Sequence, residues 1–245
     1  MSGFALDPMH QFKVTSLIKI PFGTINADFT NASLWMVIGV VFVLVVMLAG
    51  PRKLVPGRLQ SVAEMAYEFV ANMLRDTVGD AGRPFFPFIF TLFAFIMAMN
   101  LQAMLPGSFA VTSHVIVTFA LALVVFVGAT VVGFVKHGAR YLRLFVPSGV
   151  PIVLLPMLAV IEVISYFTRP ISLSIRLFAN MMAGHTMLKV FGGFVVGLGL
   201  LAGWVPLAVT VAVFALEVLV AFLQAYVFCV LACIYLNDAI HMHDH

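Results

Sequence analysis

The chain has 245 residues, of which 63% are hydrophobic and only 9% are charged. Soluble domains carry about 25% charged residues, so this composition, with a mean hydropathy of +1.13, indicates an integral membrane protein. The net charge is only +3 and no dense basic patch is present, which argues against a nucleic acid as a partner.

Residues 1–32 are of mixed composition, which predicts a short polar N-terminal segment. They lack the basic stretch followed by an apolar core that marks a cleavable signal. The first long apolar run, 33–49, is uncharged and long enough to cross a hydrocarbon core of about 30 Å. It is therefore expected to insert as a permanent membrane helix, which ends at Gly50-Pro51.

Residues 58–80 differ in kind, because apolar positions recur there with helical spacing and polar residues fill most of the rest. The apolar positions are Val62, Met65, Ala66, Phe69, Val70 and Met73. This pattern predicts an amphipathic helix that lies on the membrane surface. Packing against a soluble partner domain is the alternative, and both can hold together.

Four further apolar segments follow this helix. Residues 85–105 and 113–135 predict two spanning helices that form a hairpin over 85–135; the first ends at Pro106-Gly107 and the second before the basic stretch KHGARYLR. Two overlong segments, at about 150–198 and 205–236, are joined by GGFVVGLGLLAGW. The glycines of that stretch suit a tight reversal.

The fifth helix is longer than a bilayer is thick. From Ile152 to Phe191 there are about 40 residues, or about 60 Å of helix, so one continuous helix leans by roughly 60° across a core of about 30 Å, unless Pro170 breaks it. The fold class is all-α. We expect a single polytopic membrane domain with about five membrane-embedded helices, the amphipathic surface helix and a long tilted C-terminal helical hairpin over 150–236.

The loops differ in charge according to the side of the membrane. RKLVPGR, KHGARYLR and the C-terminus fall on one side, whereas PGSFAVT and the glycine-rich turn carry no lysine or arginine. The positive-inside rule places the basic loops and the C-terminus in the cytoplasm. Five crossings then put the N-terminus outside.

Cys229 and Cys233 lie four residues apart in the last apolar segment. Without clustered His or acidic neighbours they make a poor metal site, and a disulfide along one helical turn has unsuitable geometry. We expect two buried thiols on one helix face, and neither a metal nor a cofactor.

Six acidic, basic or histidine residues lie inside the last two apolar segments, where a charge at mid-bilayer costs roughly 2.5–3.5 kcal/mol. They are Glu162, Arg169, Arg176, His185, Lys189 and Glu217. Such residues are functional candidates by default, although Lys189 can instead snorkel to an interface.

Helical spacing places several polar residues on one face. The positions within about 40° of Arg176, at about 100° per residue, are Glu162, Ser165, Arg169, Ser172, Asn180, Ala183 and Met187. These residues are called the polar stripe below. His185 lies on the opposite face, and Glu217 and Gln224 share a face of the last helix.

Three hypotheses address the stripe. In a structural one Arg176 pairs with a carboxylate and holds helices together, but Glu162 is distant along the helix and otherwise only Glu217 lies within the membrane. An arginine without a fixed internal partner favours a stator that conducts protons past a partner's carboxylate, or a transporter that binds an anion. Transporters usually show two related halves and broken helices, which this sequence lacks. A purely structural membrane anchor leaves the stripe unexplained.

Two long stretches carry a family resemblance: EVISYFTRPISLSIRLFANMMAGH and LEVLVAFLQAYVFCVLACIYL, supported by MNLQAMLP and VPGRLQSVAEMAYEFV. They resemble subunit a of the membrane sector of F-type ATP synthases, over most of the chain. The resemblance implies a stator beside a ring of c subunits. It offers two offset half-channels through which protons reach and leave carboxylates of the ring, so that rotation drives ATP synthesis.

The resemblance also assigns roles to single residues. Arg176 matches the family's essential arginine, Asn180 the asparagine one turn on, and Gln224 the glutamine opposite the arginine. A guanidinium keeps its proton at every relevant pH. It can therefore lower the pKa of a rotor carboxylate but cannot relay a proton, which blocks a direct leak between the half-channels.

His185 and Glu217 match a pair of polar positions on the outer half-channel, and Glu162 and Ser172 match the region of the inner one. In many bacterial members the first pair has the acid at 185 and the histidine at 217; the types are exchanged here, as in mitochondrial-type members. Ala103 stands where some members have Asp, so no role of that acid is carried over.

The resemblance further implies partners and a location. The chain is not catalytic alone; its expected partners are the c ring, b-type peripheral stalk subunits, the rest of the synthase and membrane lipid. The expected location is the bacterial cytoplasmic (inner) membrane, with the mitochondrial inner membrane as the alternative.

A register follows if Arg176 faces Gln224 across an antiparallel hairpin. Opposed positions then share one index sum, which sets His185 within about half a turn of Glu217 and Glu162 level with Asp238. We therefore predict that His185 and Glu217 are in direct or water-bridged contact and line the outer half-channel, and that Glu162 belongs to the inner path.

Overall fold

The computed structural model describes residues 13–18, 21–22, 25–26, 28–48, 57–105, 107–145 and 154–241. Within these ranges, five helices are long and apolar enough to cross a membrane. The prediction of an all-α, multi-pass membrane protein is confirmed. Most of the connector RKLVPGR and the last four residues, of the end IHMHDH, lie outside the described residues.

The N-terminal segment contains short strands that the sequence did not predict. β1 (Ser16–Ile18) pairs antiparallel with β4 (Phe29–Thr30), and β2 (Pro21–Phe22) pairs with β3 (Ile25–Asn26). Helix α1 (Asn31–Leu48) begins directly after β4. The Asn31 side chain accepts a bond from the Thr15 amide at 3.2 Å and donates to the Lys13 carbonyl at 3.2 Å, which ties the strand segment to the start of α1.

The amphipathic helix predicted over 58–80 is α2 (Arg58–Val78). Its apolar face is buried in its second half, at Val70 and Met73, whereas Val62 and Met65 are exposed. The helix ends at Gly79, whose amide donates to the Arg75 carbonyl and whose positive φ of 75° is a conformation that glycine adopts without strain. A 3-10 helix (Asp80–Phe85) leads into the next spanning helix.

Helix α3 (Phe86–Ala103) and helix α4 (Val115–His137) correspond to the two middle spans. Short 3-10 helices, Val111–Ser113 and Gly138–Phe145, precede and follow α4. Helix α5 (Leu155–Ala202) and helix α6 (Trp204–Ile240) complete the chain.

The two long helices reverse direction in fewer residues than predicted. The stretch from Gly192 to Leu198 is helical, and the backbone departs from helical geometry at Gly199, where φ is +62°. A Cβ atom on Gly203 would lie 2.5 Å from the Gly199 carbonyl oxygen, so glycine permits the close approach there. Pro170 lies inside α5 without ending it, so the segment is one helix rather than two crossings.

The chain forms two compact units. One contains α1, α3 from Ala94 onward, the link through His114, and Leu177–Ala225 of α5 and α6. A polar network lies in its core: Gln102 donates to the Trp35 carbonyl at 2.9 Å, and fully buried Asn100 donates to the Ala221 carbonyl at 3.2 Å.

The other unit contains α2, α3 through Phe93, α4, α5 through Arg176 and α6 from Tyr226. Its core is aromatic and aliphatic, because the Phe69 ring lies 5.7 Å from that of Phe93 and 5.6 Å from that of Tyr226. Thr118 and Ser174 share a buried hydrogen bond of 3.1 Å between α4 and α5.

Candidate functional site

The polar stripe of α5 lies on the helix surface that the chain leaves uncovered. Its exposed members are Ser165, Ser172, Arg176, Asn180, Ala183 and Met187, and Glu162 and Arg169 are half-buried. The buried positions Leu173, Leu177, Met181 and His185 lie outside the stripe, about 60° to 180° around the helix from Arg176. The burial pattern therefore agrees with the face assignment made from helical spacing.

His185 and Glu217 meet inside the first unit, as the register predicted. His185 Nδ1 lies 3.5 Å from Glu217 Oε1, and the two side chains are 9% and 4% exposed. Glycine at position 184 makes the contact possible, because a Cβ atom there would lie 2.7 Å from Glu217 Oε1. Within the described residues, His185 Nε2 and Glu217 Oε2 form no hydrogen bond, so this pair keeps unused capacity for one.

A polar cavity of about 230 Å³ adjoins His185. It is lined by Ala103, Met104, Leu105, Gly107, Ser108, Ala110, His185, Leu188 and Lys189. Lys189 is half-buried and lies one turn after His185 on α5. The cavity is therefore lined by two ionisable side chains, those of His185 and Lys189.

Gln224 forms its hydrogen bond with Asn180. Asn180 Nδ2 donates to Gln224 Oε1 at 2.8 Å, and Gln224 is buried. This pair is one helical turn away from the predicted pairing of Gln224 with Arg176. Arg176 itself takes part in none of the ion pairs that the described ranges contain.

The prediction that Glu162 lies level with Asp238 is wrong. Asp238 forms an ion pair with Arg169, at 3.1 Å between Oδ2 and Nη1, and Glu162 lies two turns earlier on α5. The sum of the two opposed residue numbers stays constant only if the axes of the two antiparallel helices do not cross, whereas packed helices cross at an angle. The sum therefore drifts along the pair of helices, and an extrapolation from a single assumed contact accumulates the error.

Two aromatic rings flank Arg169. Its guanidinium carbon lies 5.8 Å from the centre of the Tyr166 ring and 5.4 Å from that of the Tyr235 ring, within cation–π range. Tyr166 also bonds to Thr130 through its hydroxyl, at 2.5 Å. Arg169 was predicted as a member of the polar stripe, but its ion pair with Asp238 was not predicted. The sequence feature that could have indicated it is the acidic residue Asp238 close to the end of the last apolar segment.

Asn100 is a second residue that the sequence reading missed. Its side chain accepts a hydrogen bond from Thr112 Oγ1 at 3.0 Å and donates one to the Ala221 carbonyl. Ala221 lies four residues after Glu217 on α6. An amide inside the apolar run MNLQAMLP was the available signal.

The cysteines are buried and free, as expected. In the part of the chain that the structure describes, no three His, Cys, Asp or Glu side chains come together as metal ligands would.

Sequence comparisons relate the chain to one protein family. The family model described as ATP synthase A chain matches residues 32–237. A Pelagibacter ubique protein named ATP synthase subunit a is 56% identical over 242 residues, covering 98% of this chain and 99% of the relative. A protein of the same name from Parvibaculum lavamentivorans is 57% identical, covering 98% of this chain and 95% of the relative. One from a Chelativorans species is also 57% identical, covering 97% and 98%.

Proposed function

The chain belongs to the family of ATP synthase A chains, and we propose that its Arg176 is the fixed cation past which the carboxylates of a c ring move. The protein is the proton-channel subunit of the F-type membrane sector. It is a non-catalytic subunit, through which proton flow drives ATP synthesis by the complex.

Arg176 suits this role because of its charge and its position. It is exposed on α5, and none of the ion pairs found in the described ranges includes it. A guanidinium stays protonated, so an approaching rotor carboxylate loses its proton beside it. When the carboxylate turns into lipid, desolvation favours the protonated form again. The observation that carries the proposal is the exposure of Arg176, together with its absence from the ion pairs of the described ranges.

His185 and Glu217 form the end of the outer half-channel. The pair is buried, its members lie 3.5 Å apart, and a polar cavity adjoins His185. A carboxyl group and an imidazole in contact titrate as a coupled pair, which suits stepwise proton transfer. Protons enter through the cavity, pass this pair and reach the rotor carboxylate before it meets Arg176.

Asn180 and Gln224 separate the two half-channels. Their amides bond to each other one turn beyond Arg176, and amide groups do not titrate in the physiological range. Glu162 and Ser172, on the other side of Arg176 along the stripe, belong to the inner path, by which protons leave.

The polar stripe faces the c ring. The C-terminus and the basic loop after α4 lie in the cytoplasm and the N-terminus lies outside, by the positive-inside rule. The membrane is the bacterial inner membrane. Helix α2, with Val62 and Met65 exposed, lies at the membrane surface and meets lipid or the b-type peripheral stalk.

Arg176→Ala tests the central assignment. The complex is expected to assemble while ATP-driven proton pumping by membrane vesicles is abolished, because the rotor carboxylate then has no fixed cation. Ser165→Ala, an exposed change on the same stripe, serves as the control and should pump normally. Normal pumping by assembled Arg176→Ala complexes would refute the proposal.

A cysteine pair tests the outer half-channel. Cysteines at 185 and 217, in a chain whose Cys229 and Cys233 are replaced by Ala, should be joined by a short bifunctional reagent. Silver ions added from the outer side should block proton flow at each single cysteine. Access from the inner side only would place this pair in the wrong half-channel.

A further inference from the structure

We propose that Asp238 neutralises Arg169 so that Arg176 is the one cation of the polar stripe that captures rotor carboxylates. Asp238 is a positioning residue in this scheme, because it acts through Arg169 and does not touch the moving carboxylate. The inference rests on the proposed function of Arg176.

Two guanidinium groups share the stripe. Arg169 and Arg176 are seven residues apart on continuous α5, which is close to two full turns, so both project from one face about 10.5 Å apart along the axis. A rotor carboxylate that travels along this face meets both positions. Two equally available cations would offer it two places to stop.

The structure makes these two cations unequal. Arg169 is bound to Asp238 at 3.1 Å, with a quarter of its side chain exposed, and lies between the Tyr166 and Tyr235 rings. Arg176 is exposed and belongs to none of the ion pairs seen in the described ranges. The carboxylate and the two rings therefore surround part of the Arg169 guanidinium group, whose positive charge the carboxylate offsets.

The consequence follows from charge alone. With Asp238 in place, the Arg169 site has no net charge, and an incoming carboxylate gains little there. Without that acid, Arg169 is a permanent cation in a partly desolvated place, where attraction between opposite charges is strong. The rotor carboxylate would then stay ionised and held at the inner side of Arg176, which delays each step of rotation.

Asp238→Asn is the decisive variant. The amide keeps the shape and can still accept a hydrogen bond from Arg169, but it removes the neutralising charge. ATP-driven proton pumping by membrane vesicles should fall about tenfold, because a tenfold delay requires only part of the attraction between partly desolvated charges. Asp238→Glu restores the charge and should pump normally, as should the double variant Arg169→Gln/Asp238→Asn, which has no second cation to release.

A chemical probe separates this role from mere stabilisation. A carbodiimide reacts with protonated carboxyl groups and not with carboxylates, so it reports the protonation of the rotor acid in the intact complex. Labelling of the c ring should slow in Asp238→Asn and return to the normal rate in the double variant. The amount of the subunit in the membrane and the thermal midpoint of the complex are measured in parallel.

Each result decides the matter. Slow pumping and slow labelling in a fully assembled Asp238→Asn complex, both reversed in the double variant, support the inference. Normal pumping or labelling in Asp238→Asn, no recovery in the double variant, or a loss explained wholly by missing subunit would overturn it. Arg176→Ala keeps the two proposals apart: if it pumps, the proposed function fails, and if it is inactive while Asp238→Asn is normal, only this inference fails.

Discussion

Gly184→Ala changes the proposed outer half-channel at a single atom, Oε1 of Glu217. The new methyl group would lie 2.7 Å from Glu217 Oε1 and 2.9 Å from its Cδ, whereas ordinary contacts to a Cβ atom begin at 3.4 Å. The carboxylate must therefore move by roughly half an ångström or more. It is the end of a flexible side chain, so it can move without disturbing the backbone. Oε1, the atom that faces His185 at 3.5 Å, is the atom displaced.

The expected effect is on proton transfer and not on folding. Direct proton transfer requires heavy atoms about 2.6–3.2 Å apart, and the resting distance of 3.5 Å already requires a small closing movement. A methyl group at position 184 that displaces the Glu217 carboxylate would obstruct its approach to His185. We expect proton conduction to fall by about tenfold or more, since a well-placed acid or base contributes about 10²–10⁴-fold. Alanine in a helix adds up to about 1 kcal/mol of stability relative to glycine, which offsets the local crowding.

The measurement is passive proton conduction through vesicles stripped of the catalytic head. Gly192→Ala is the matched control, because it lies on the same helix and its Cβ atom would meet nothing within 4 Å. It gains the same helix propensity and should conduct normally. Equal conduction by the two variants would show that the position of the Glu217 carboxylate does not limit proton entry.

Two further predictions concern stability. Gly133→Ala should lower the thermal midpoint of the purified complex by the equivalent of about 1–3 kcal/mol, because its Cβ atom would meet the buried Tyr141 ring. Gly128→Ala on the same helix is the control and should leave the midpoint unchanged, because its Cβ atom would meet nothing within 4 Å. Equal midpoints for the two variants would contradict the packing of Gly133 against Tyr141. His114 precedes α4, outside the spanning helices, and burial lowers its pKa below 6.5. The unfolded chain therefore binds this proton first, so stability is full above pH 6.5 and falls as the pH drops from 6.5 towards the folded-state pKa; the midpoint of His114→Gln should decline less over that range, and parallel curves would refute the idea.

Periodicity alone predicted the part of the site that lies on one helix. An α-helix fixes the direction of every side chain relative to its neighbours, so spacing sufficed to separate the stripe from His185. The structure buries His185 and exposes Arg176, in agreement with that spacing. The direction of a side chain on a helix does not determine its protonation state, so helical spacing carried no information on proton transfer.

Contacts between helices were predicted less well. The His185–Glu217 contact was expected and is present, but Gln224 meets Asn180 and Asp238 meets Arg169. Those pairings depend on the crossing angle and on packing along the whole length of α5 and α6, which no local pattern encodes. The hydrogen bond from Asn100 to the Ala221 carbonyl was not predicted either. Its acceptor is a backbone oxygen, which every residue has, so the sequence does not single out Ala221 as the partner.

The length of α5 bears on how the two proposed half-channels are kept apart. Arg176 lies 21 residues after Leu155 and 23 before Gly199, the last residue of the apolar span, so it is close to the middle of a helix of about 68 Å. A hydrocarbon core of about 30 Å can hold such a helix only if it runs obliquely. We therefore expect the stripe to cross the membrane at an angle, so that its two ends differ both in depth and in position along the path proposed for the ring. Under the proposed function, a rotor carboxylate would then reach one half-channel only after it had left the other, with the permanent charge of Arg176 between them.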